Sequence, residues 1–198
     1  MIHQGAYIQQ ILEHLGMANS DTVTTPMDHS IKLTPATDNN LFEHPMLYRE
    51  AIRALLYASL GTRPDITFAV QVLSQFASKL SQEHWRAIKR ILRYLQGTKD
   101  LGITYDNLNG YADIHVSSYS DADWGSSLID QRSVSGYVFL IGGGAVAWSS
   151  KKQPTVALSS TEAEYMASVR TGFPFRSDCQ SKVDLGSAYR LAPQSPGP

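Results

Sequence analysis

Two short stretches decide how this chain folds: SDADWG at residues 120–125 and SSTEAEYMA at residues 159–167. The first ends an alternating segment, IHVSSY at residues 114–119, which is typical of a strand that runs into a turn. The second places Ser159 and Glu162 at the spacing of a helix capping box. The pattern therefore predicts one carboxylate at the end of a strand and a second carboxylate on a helix that follows later in the chain.

The residues between these stretches predict a β-hairpin. Residues 134–141 form a β-branched and aromatic run, three glycines follow at residues 142–144, and residues 145–149 return as a second strand. We expect strands over residues 113–120, 134–141 and 145–149 and a helix from about Thr161. The glycines join two strands, so they indicate a turn and not a nucleotide-binding loop.

This order of carboxylate strand, hairpin and carboxylate helix resembles the first half of a ribonuclease H domain, in the form found in copia-type retrotransposon polyproteins. The likeness covers most of the chain up to Ala167. The matching strings are SDADWG at residues 120–125, RSVSGYVFLIGGGAVAWSSKKQPTVALSSTEAEYMA at residues 132–167, TRPDITFAVQVLSQF at residues 62–76 and HWRAIKRILRYLQGTKDLG at residues 84–102.

Composition limits the classes of protein to which the chain can belong. It has 198 residues, 42% of them hydrophobic, and a formal net charge of −1, so any nucleic-acid binding needs a local basic patch. The single cysteine, Cys179, excludes an internal disulfide framework and a cysteine zinc site. The apolar run at residues 137–148 is too short for a bilayer span, and no signal peptide opens the chain. We expect an intracellular protein of the cytoplasm or nucleus that is neither secreted nor membrane-bound.

Upstream of the hairpin the periodicity is helical. Apolar spacing, proline starts and glycine ends predict four helices. The first two cover residues 5–15 and Pro45 to about Gly61. The third starts at Pro64, with Phe68, Val72, Leu73 and Phe76 facing inward. The fourth begins after Ser81 and ends at Gly97, with a core stripe of Trp85, Ile88, Leu92 and Leu95. A short strand is expected over residues 101–105 and a turn-rich joint over residues 106–110.

These elements predict an α+β fold: a helical connection followed by a truncated ribonuclease H-like mixed β-sheet with one packed helix. The resemblance implies four regions: the end of a reverse transcriptase (1–43), a helical connection (44–110), a partial ribonuclease H-like domain (111–170) and a disordered tail (171–198). It also implies that the polymerase aspartates would precede Met1, so that no polymerase site is expected here.

Four cations recur on the predicted helix over residues 82–96, the fourth predicted helix, which we call α4. Arg86, Lys89, Arg90 and Arg93 follow spacings of three and four and share one face of the helix, named here the α4 basic face. This face is a candidate for contact with a nucleic-acid backbone, and the alternative is an ordinary solvated face.

The resemblance implies that Asp121 and Glu164 are catalytic and bind Mg²⁺ for hydrolysis of the RNA strand of RNA/DNA hybrids. Asp123 is a possible auxiliary ligand, because residues two apart on a strand share a face. Glu162 lies about 200° from Glu164 around a helix, so only one of them can face the strand. We expect Glu162 to cap the helix.

The family pattern stops after Ala167. Residues 171–174, TGFP, are expected to end the helix. In the tail, the residues around Asp178 bear only a weak resemblance to the motif that carries the family's third acid. The expectation is therefore a ribonuclease H-like chain that is inactive alone, with Tyr137, Phe139 and Trp148 facing missing elements. The alternatives are a non-catalytic nucleic-acid-binding remnant that uses the basic helix and a pseudogene product without activity.

Overall fold

A computed structural model of the chain describes residues 1–28, 33–37, 40–105, 116–125 and 130–170. Within these residues the helices are α1 (Gly5–His14), α2 (Pro45–Gly61), α3 (Thr67–Ser74), α4 (Gln82–Gly97) and α5 (Ser160–Arg170), and the strands are β1 (Val116–Asp123), β2 (Val134–Ile141) and β3 (Gly144–Lys152). The predicted joint at 106–110 and tail at 171–198 lie outside the described residues.

The helix boundaries follow the punctuation of the sequence. Helix α1 ends before Gly16, whose φ of 66° is the left-handed conformation that glycine adopts without strain. Helix α2 begins at Pro45, where a missing N–H costs nothing because it would have no helical partner. These starts and ends confirm the sequence-based predictions.

The helix expected at Pro64 is more complex than the sequence pattern suggested. Residues Pro64–Ile66 form a 3₁₀ turn, and α3 follows from Thr67. The turn changes which side chains point inward: Leu73 and Phe76 are buried as predicted, but Phe68 and Val72 are only half-buried. Their predicted inward places are taken by Ile66, Ala69 and Val70.

The helices share one hydrophobic core, to which α1, α2, α3 and α4 all contribute. On α4 the predicted residues Trp85, Ile88, Leu92 and Leu95 are all buried, together with Ile91. The buried set consists of Ile8, Ile11, Leu12, Tyr48, Ala51, Ile52, Leu55, Ala58, Ile66, Ala69, Val70, Leu73, Phe76, Leu80, Trp85, Ile88, Ile91, Leu92 and Leu95. The helical part therefore has a core of its own.

The three strands form an antiparallel sheet in the order β1–β2–β3. The expected mixed sheet is wrong for the described residues, because hairpin-length connections permit only antiparallel pairing and a parallel pair needs a longer crossover. Strand β1 continues through Asp123 and pairs it with Val134, so the turn begins later than predicted. The short strand predicted over residues 101–105 is wrong: only Ile103 pairs, in an isolated bridge with Ile2.

The sheet packs on the helical part through Trp148. Its indole Nε1 donates to the Ser59 carbonyl over 2.8 Å. That carbonyl lies in the last turn of α2, where the Arg63 N–H donates to the Ala58 carbonyl and not to the Ser59 carbonyl. The sheet therefore caps α2, and the expectation that Trp148 faces missing elements is wrong.

A second contact joins the two parts beside the hairpin turn. The Tyr105 hydroxyl donates to the Ala145 carbonyl over 2.9 Å, and Gly144 leaves room for the Tyr105 ring, which a Cβ atom would overlap. Ile103, Val138 and Ala145 form a small buried cluster at this seam. None of the helices in the described ranges is long and apolar enough to cross a bilayer.

Candidate functional site

Asp121 lies near the end of β1, directly opposite Gly136 of β2. Because β1 remains regular to Asp123, the side chains of Asp121 and Asp123 lie on the same face of the sheet. Asp121 is exposed and Asp123 is half-buried. The strand therefore presents two carboxylates at one end of one face.

Helix α5 is held against the sheet by small residues. It packs on β1 and β2, and Ala163 and Ala167, one turn apart, are fully buried. The buried Gln153 Nε2 donates to Ser135 Oγ over 2.7 Å and to the Ala163 carbonyl over 3.0 Å. These contacts fix the helix, and hence the half-buried Glu164 next to Ala163, relative to the strands.

Trp124 gives the same arrangement a further support. Its indole Nε1 donates to the carbonyl of Ala157 over 3.2 Å, so the end of β1 is tied to the segment that leads into α5. Sequence reasoning missed this contact. The only signal was the presence of a tryptophan in the SDADWG stretch, which gives no indication of its partner.

Glu162 turns towards the start of α5, as expected. Ser159 Oγ accepts from the Glu162 N–H over 3.1 Å, and the Glu162 carboxylate accepts from the Leu158 N–H over 2.7 Å. The usual capping box would return to the Ser159 N–H, so this cap reaches one residue further back. The two glutamates on α5 therefore have separate roles.

The pKa of Glu164 is raised by two effects. Burial raises the pKa of the Glu164 carboxyl, and the neighbouring Asp121 carboxylate raises it further. A like charge destabilises the ionised form only when the two groups are near each other. The two residues selected from the sequence are therefore brought together at the β1–α5 contact.

The donor set limits what the site can hold. Within the described residues no group of three or more His, Cys, Asp or Glu side chains is placed to bind a metal ion. Mg²⁺ commonly keeps several waters and takes only one or two carboxylates from a protein. The residues present thus fit one weakly held ion, and Asp178 lies outside the described residues.

The α4 basic face is divided by the structure. Arg93 Nε donates to the Asp21 carbonyl over 2.7 Å, and Arg90 donates to the Thr25 carbonyl over 3.3 Å and to Thr25 Oγ1 over 2.8 Å. Arg86 is exposed, and so is Lys89, whose ammonium lies 5.9 Å from the Trp85 ring centroid. Two of the four predicted cations therefore hold the residues 21–28 segment in place.

Comparison with known proteins gives the family. The chain is 40% identical over 178 residues to the retrovirus-related Pol polyprotein from transposon TNT 1-94 of Nicotiana tabacum, and 40% identical over 185 residues to that from transposon RE1 of Arabidopsis thaliana. The alignments cover 86% and 93% of the chain. The chain belongs to the copia-type retrotransposon Pol polyprotein family.

The chain spans only a small part of these Pol polyproteins, 13% and 12% of their lengths. A much shorter relative, the secreted RxLR effector protein 161 of Plasmopara viticola, is 52% identical over 120 residues, which are 61% of this chain and 82% of that protein. No protein-family model matches this chain, and no solved structure matches it either.

Proposed function

We propose that the β1–α5 region is a ribonuclease H-like site that recognises RNA/DNA hybrids, with Asp121 and Glu164 as its metal-binding carboxylates. The proposal is supported by the packing of α5 on β1, by the Asp121 charge that adds to the raised pKa of Glu164, and by the use of Glu162 as a cap. The membership of the chain in the Pol family supports it, since reverse transcription in such elements generates hybrids.

The Asp121 and Glu164 carboxylates would hold Mg²⁺, since a divalent cation relieves the repulsion that adds to the raised pKa of Glu164. A bound ion would supply an activated water or stabilise the leaving oxygen in phosphodiester hydrolysis. The chain's own residues place Asp121 near the end of β1 and Glu164 on α5, and these two elements are braced through Trp124 and Gln153.

We propose further that the chain cleaves hybrids at no appreciable rate. A pair of ions flanking one phosphate needs more carboxylates than Asp121 and Glu164 supply. Asp123 shares the strand face and adds at most one ligand.

Metal binding is tested first. Millimolar Mg²⁺ or Mn²⁺ should raise the melting temperature of the chain, because a ligand that binds only the folded state stabilises it. Asp121→Asn and Glu164→Gln should abolish the rise, whereas Glu162→Gln, the same change two residues away, should retain it. An equal response in all three variants would disprove the assignment of the site.

Cleavage is tested with labelled RNA/DNA hybrid in Mg²⁺ or Mn²⁺ beside the Asp121→Asn, Glu164→Gln double variant. We expect no metal-dependent product from either protein. Cleavage by the wild-type chain that is lost in the double variant would show that the site is active and that another ligand completes it.

The second candidate function is nucleic-acid binding through the α4 basic face without catalysis. Its specific support is the exposure of Arg86 and Lys89 at neighbouring positions of one helix. It is tested by hybrid binding in EDTA, which should be weakened by Arg86→Gln and by Lys89→Gln and should survive Asp121→Asn.

A further inference from the structure

A group of charged side chains at the end of the sheet is not explained by the carboxylate site. Asp130 Oδ1 lies 3.0 Å from Lys152 Nζ, and Asp130 Oδ2 lies 3.7 Å from Arg132 Nε. One carboxylate is thus shared by two cations. We call Asp130, Arg132 and Lys152 the Asp130 cluster.

The strand register places this cluster beside Asp121 and Asp123. Asp123 pairs with Val134, and Val134 pairs with Lys152, so all three residues form one row across the sheet. Directly paired residues project from the same face. Lys152 therefore lies on the face that carries the two aspartates, two strand spacings or about 10 Å from Asp123.

The neighbouring Lys151 lies on the other face. It pairs with Ser135, which pairs with Ala122, and successive residues of a strand alternate between faces. Lys151 is exposed, whereas the Lys152 side chain is only 19% exposed. The two lysines carry the same charge on opposite sides of the sheet, which makes one a control for the other.

The backbone is strained to build this cluster. Gln131, between Asp130 and Arg132, has a φ of 53° and is the only non-glycine residue with positive φ in the described part of the chain. The left-handed conformation costs a residue with a Cβ about 1–2 kcal/mol. At this turn the Arg132 N–H lies 3.4 Å from Asp130 Oδ1, and the Asp130 carboxylate lies within ion-pair distance of both Arg132 and Lys152.

We propose that Arg132 and Lys152 form a phosphate-binding subsite that holds the nucleic-acid backbone on the sheet face that carries Asp121, with Asp130 paired with the two cations until a phosphate replaces it. The inference rests on the proposed function, since it names the part of that site which contacts the hybrid. The Lys152 ammonium can offer a phosphate the charge-assisted hydrogen bonds that Asp130 now accepts, and the Arg132 guanidinium, 3.7 Å from the same carboxylate, adds a second positive charge and further donors.

The test is the affinity of the full chain for a fluorescently labelled RNA/DNA hybrid, measured by anisotropy in EDTA over a series of salt concentrations. Lys152→Gln and Arg132→Gln should each weaken binding several-fold and lower the salt slope by about one unit, as expected for one lost phosphate contact. Lys151→Gln should leave the slope unchanged. Asp130→Asn should strengthen binding, because it removes the competing carboxylate.

The opposite signs expected at Asp130 and Lys152 separate the subsite from an ordinary surface ion pair, in which either change would act only on stability. Melting curves of each variant control for folding, and Lys152→Arg, which keeps the charge, should restore the slope. Equal losses for Lys151→Gln and Lys152→Gln, or weaker binding by Asp130→Asn, would overturn the subsite. A wild-type chain that binds no hybrid would overturn both the subsite and the proposed function.

Discussion

Arg63 is the most deeply buried charge in the helical part. Its guanidinium bonds both oxygens of Asp65, and it also donates to the Thr98 carbonyl and to Thr98 Oγ1. Its side chain is 1% exposed and that of Asp65 is 10% exposed. Arg63 therefore joins the α2–α3 connection to the end of α4 through hydrogen bonds that are largely shielded from water.

Replacing Arg63 by Met should cost about 3–5 kcal/mol in the free energy of unfolding, because Asp65 is left as a buried charge without its partner. Urea denaturation followed by circular dichroism measures the loss. Arg53→Met, on the exposed side of α2, is the matched control and should change stability by no more than about 0.5 kcal/mol. Similar losses in the two variants would show that the buried network contributes little.

His84 occupies a capping-box position usually held by Glu or Gln. Its Nδ1 accepts from the Ser81 N–H over 3.0 Å, so its proton is on Nε2, which is buried and has no partner among the described residues. Burial lowers the pKa of His84 below 6.5, and Glu83 opposes the shift only in part. The folded chain therefore holds a neutral imidazole.

This predicts acid sensitivity. Below pH 6.5 His84 is protonated in the unfolded chain but stays neutral in the folded chain until the pH reaches its lower folded-state pKa. The free energy of unfolding therefore falls as the pH decreases through 6.5, and it levels off below the folded-state pKa. His84→Gln keeps a capping side chain but removes this titration. Urea unfolding at pH 7.5 and pH 5.5 should show a smaller loss in the variant, and an equal loss would exclude His84 as the cause.

At the scale of elements, α4 has opposite faces with different tasks. One face fills the core, and the α4 basic face both holds residues 21–28 and reaches solvent. A guanidinium that is already bonded to backbone carbonyls loses those bonds when it turns to a phosphate. The cations of this face should therefore contribute unequally to any nucleic-acid contact.

Arg86→Gln and Lys89→Gln should each reduce the salt slope of hybrid binding by about one unit. Arg90→Gln and Arg93→Gln should reduce it less, and they should instead speed amide exchange in residues 21–25, because the segment loses its donors. Anisotropy and hydrogen exchange measure the two effects. Four equal changes in slope would show that the segment does not occupy the face.

The sequence predicted those elements whose limits are set by local chemistry. Pro45, Gly16 and Gly97 marked helix ends correctly, and the spacing of Ser159 and Glu162 marked the start of α5. The 3₁₀ turn at Pro64 was missed, because a proline start fits either helix type. The pairing of Asp121 with Glu164 was found only through the family resemblance, since no local rule brings a strand and a helix so distant in sequence together.

Long-range partners account for the rest. Nothing in the neighbourhood of Trp148 indicates that its indole caps α2, because its partner Ser59 is 89 residues away in the chain. The left-handed Gln131 was equally hidden, since glutamine has no preference for that conformation. The Asp130 cluster emerges only when the register of three strands is known.

At the scale of the whole molecule, the two hydrophobic clusters are unequal. The helical cluster has members on four helices, whereas the cluster at the seam has three buried residues. The inner face of the sheet carries Trp148, Val138 and Tyr119, and these side chains are shielded from water only where the sheet packs on the helical part. The sheet therefore depends on the helical part for stability more than the reverse.

A chain of residues 1–105 should fold alone, with a helical circular dichroism spectrum and a cooperative melt, and residues 106–198 should not. In the full chain Trp148→Phe keeps an aromatic ring but removes the indole donor to Ser59 and some ring volume, and it should lower stability by about 1 kcal/mol or more. Trp124→Phe, which removes a more exposed indole donor, is the comparison variant and should cost less. A folded 106–198 chain would contradict the dependence of the sheet on the helices.

The isolated bridge between Ile2 and Ile103 closes the helical part into a ring. Each residue donates its N–H to the carbonyl of the other, at 2.8 and 2.9 Å, and Gly102 permits the approach because a Cβ there would strike the Ile2 carbonyl. A unit whose two ends are neighbours can be inserted into a loop of another protein without stretching either one. Residues 2–103 therefore begin and finish at one place on the surface of the helical part.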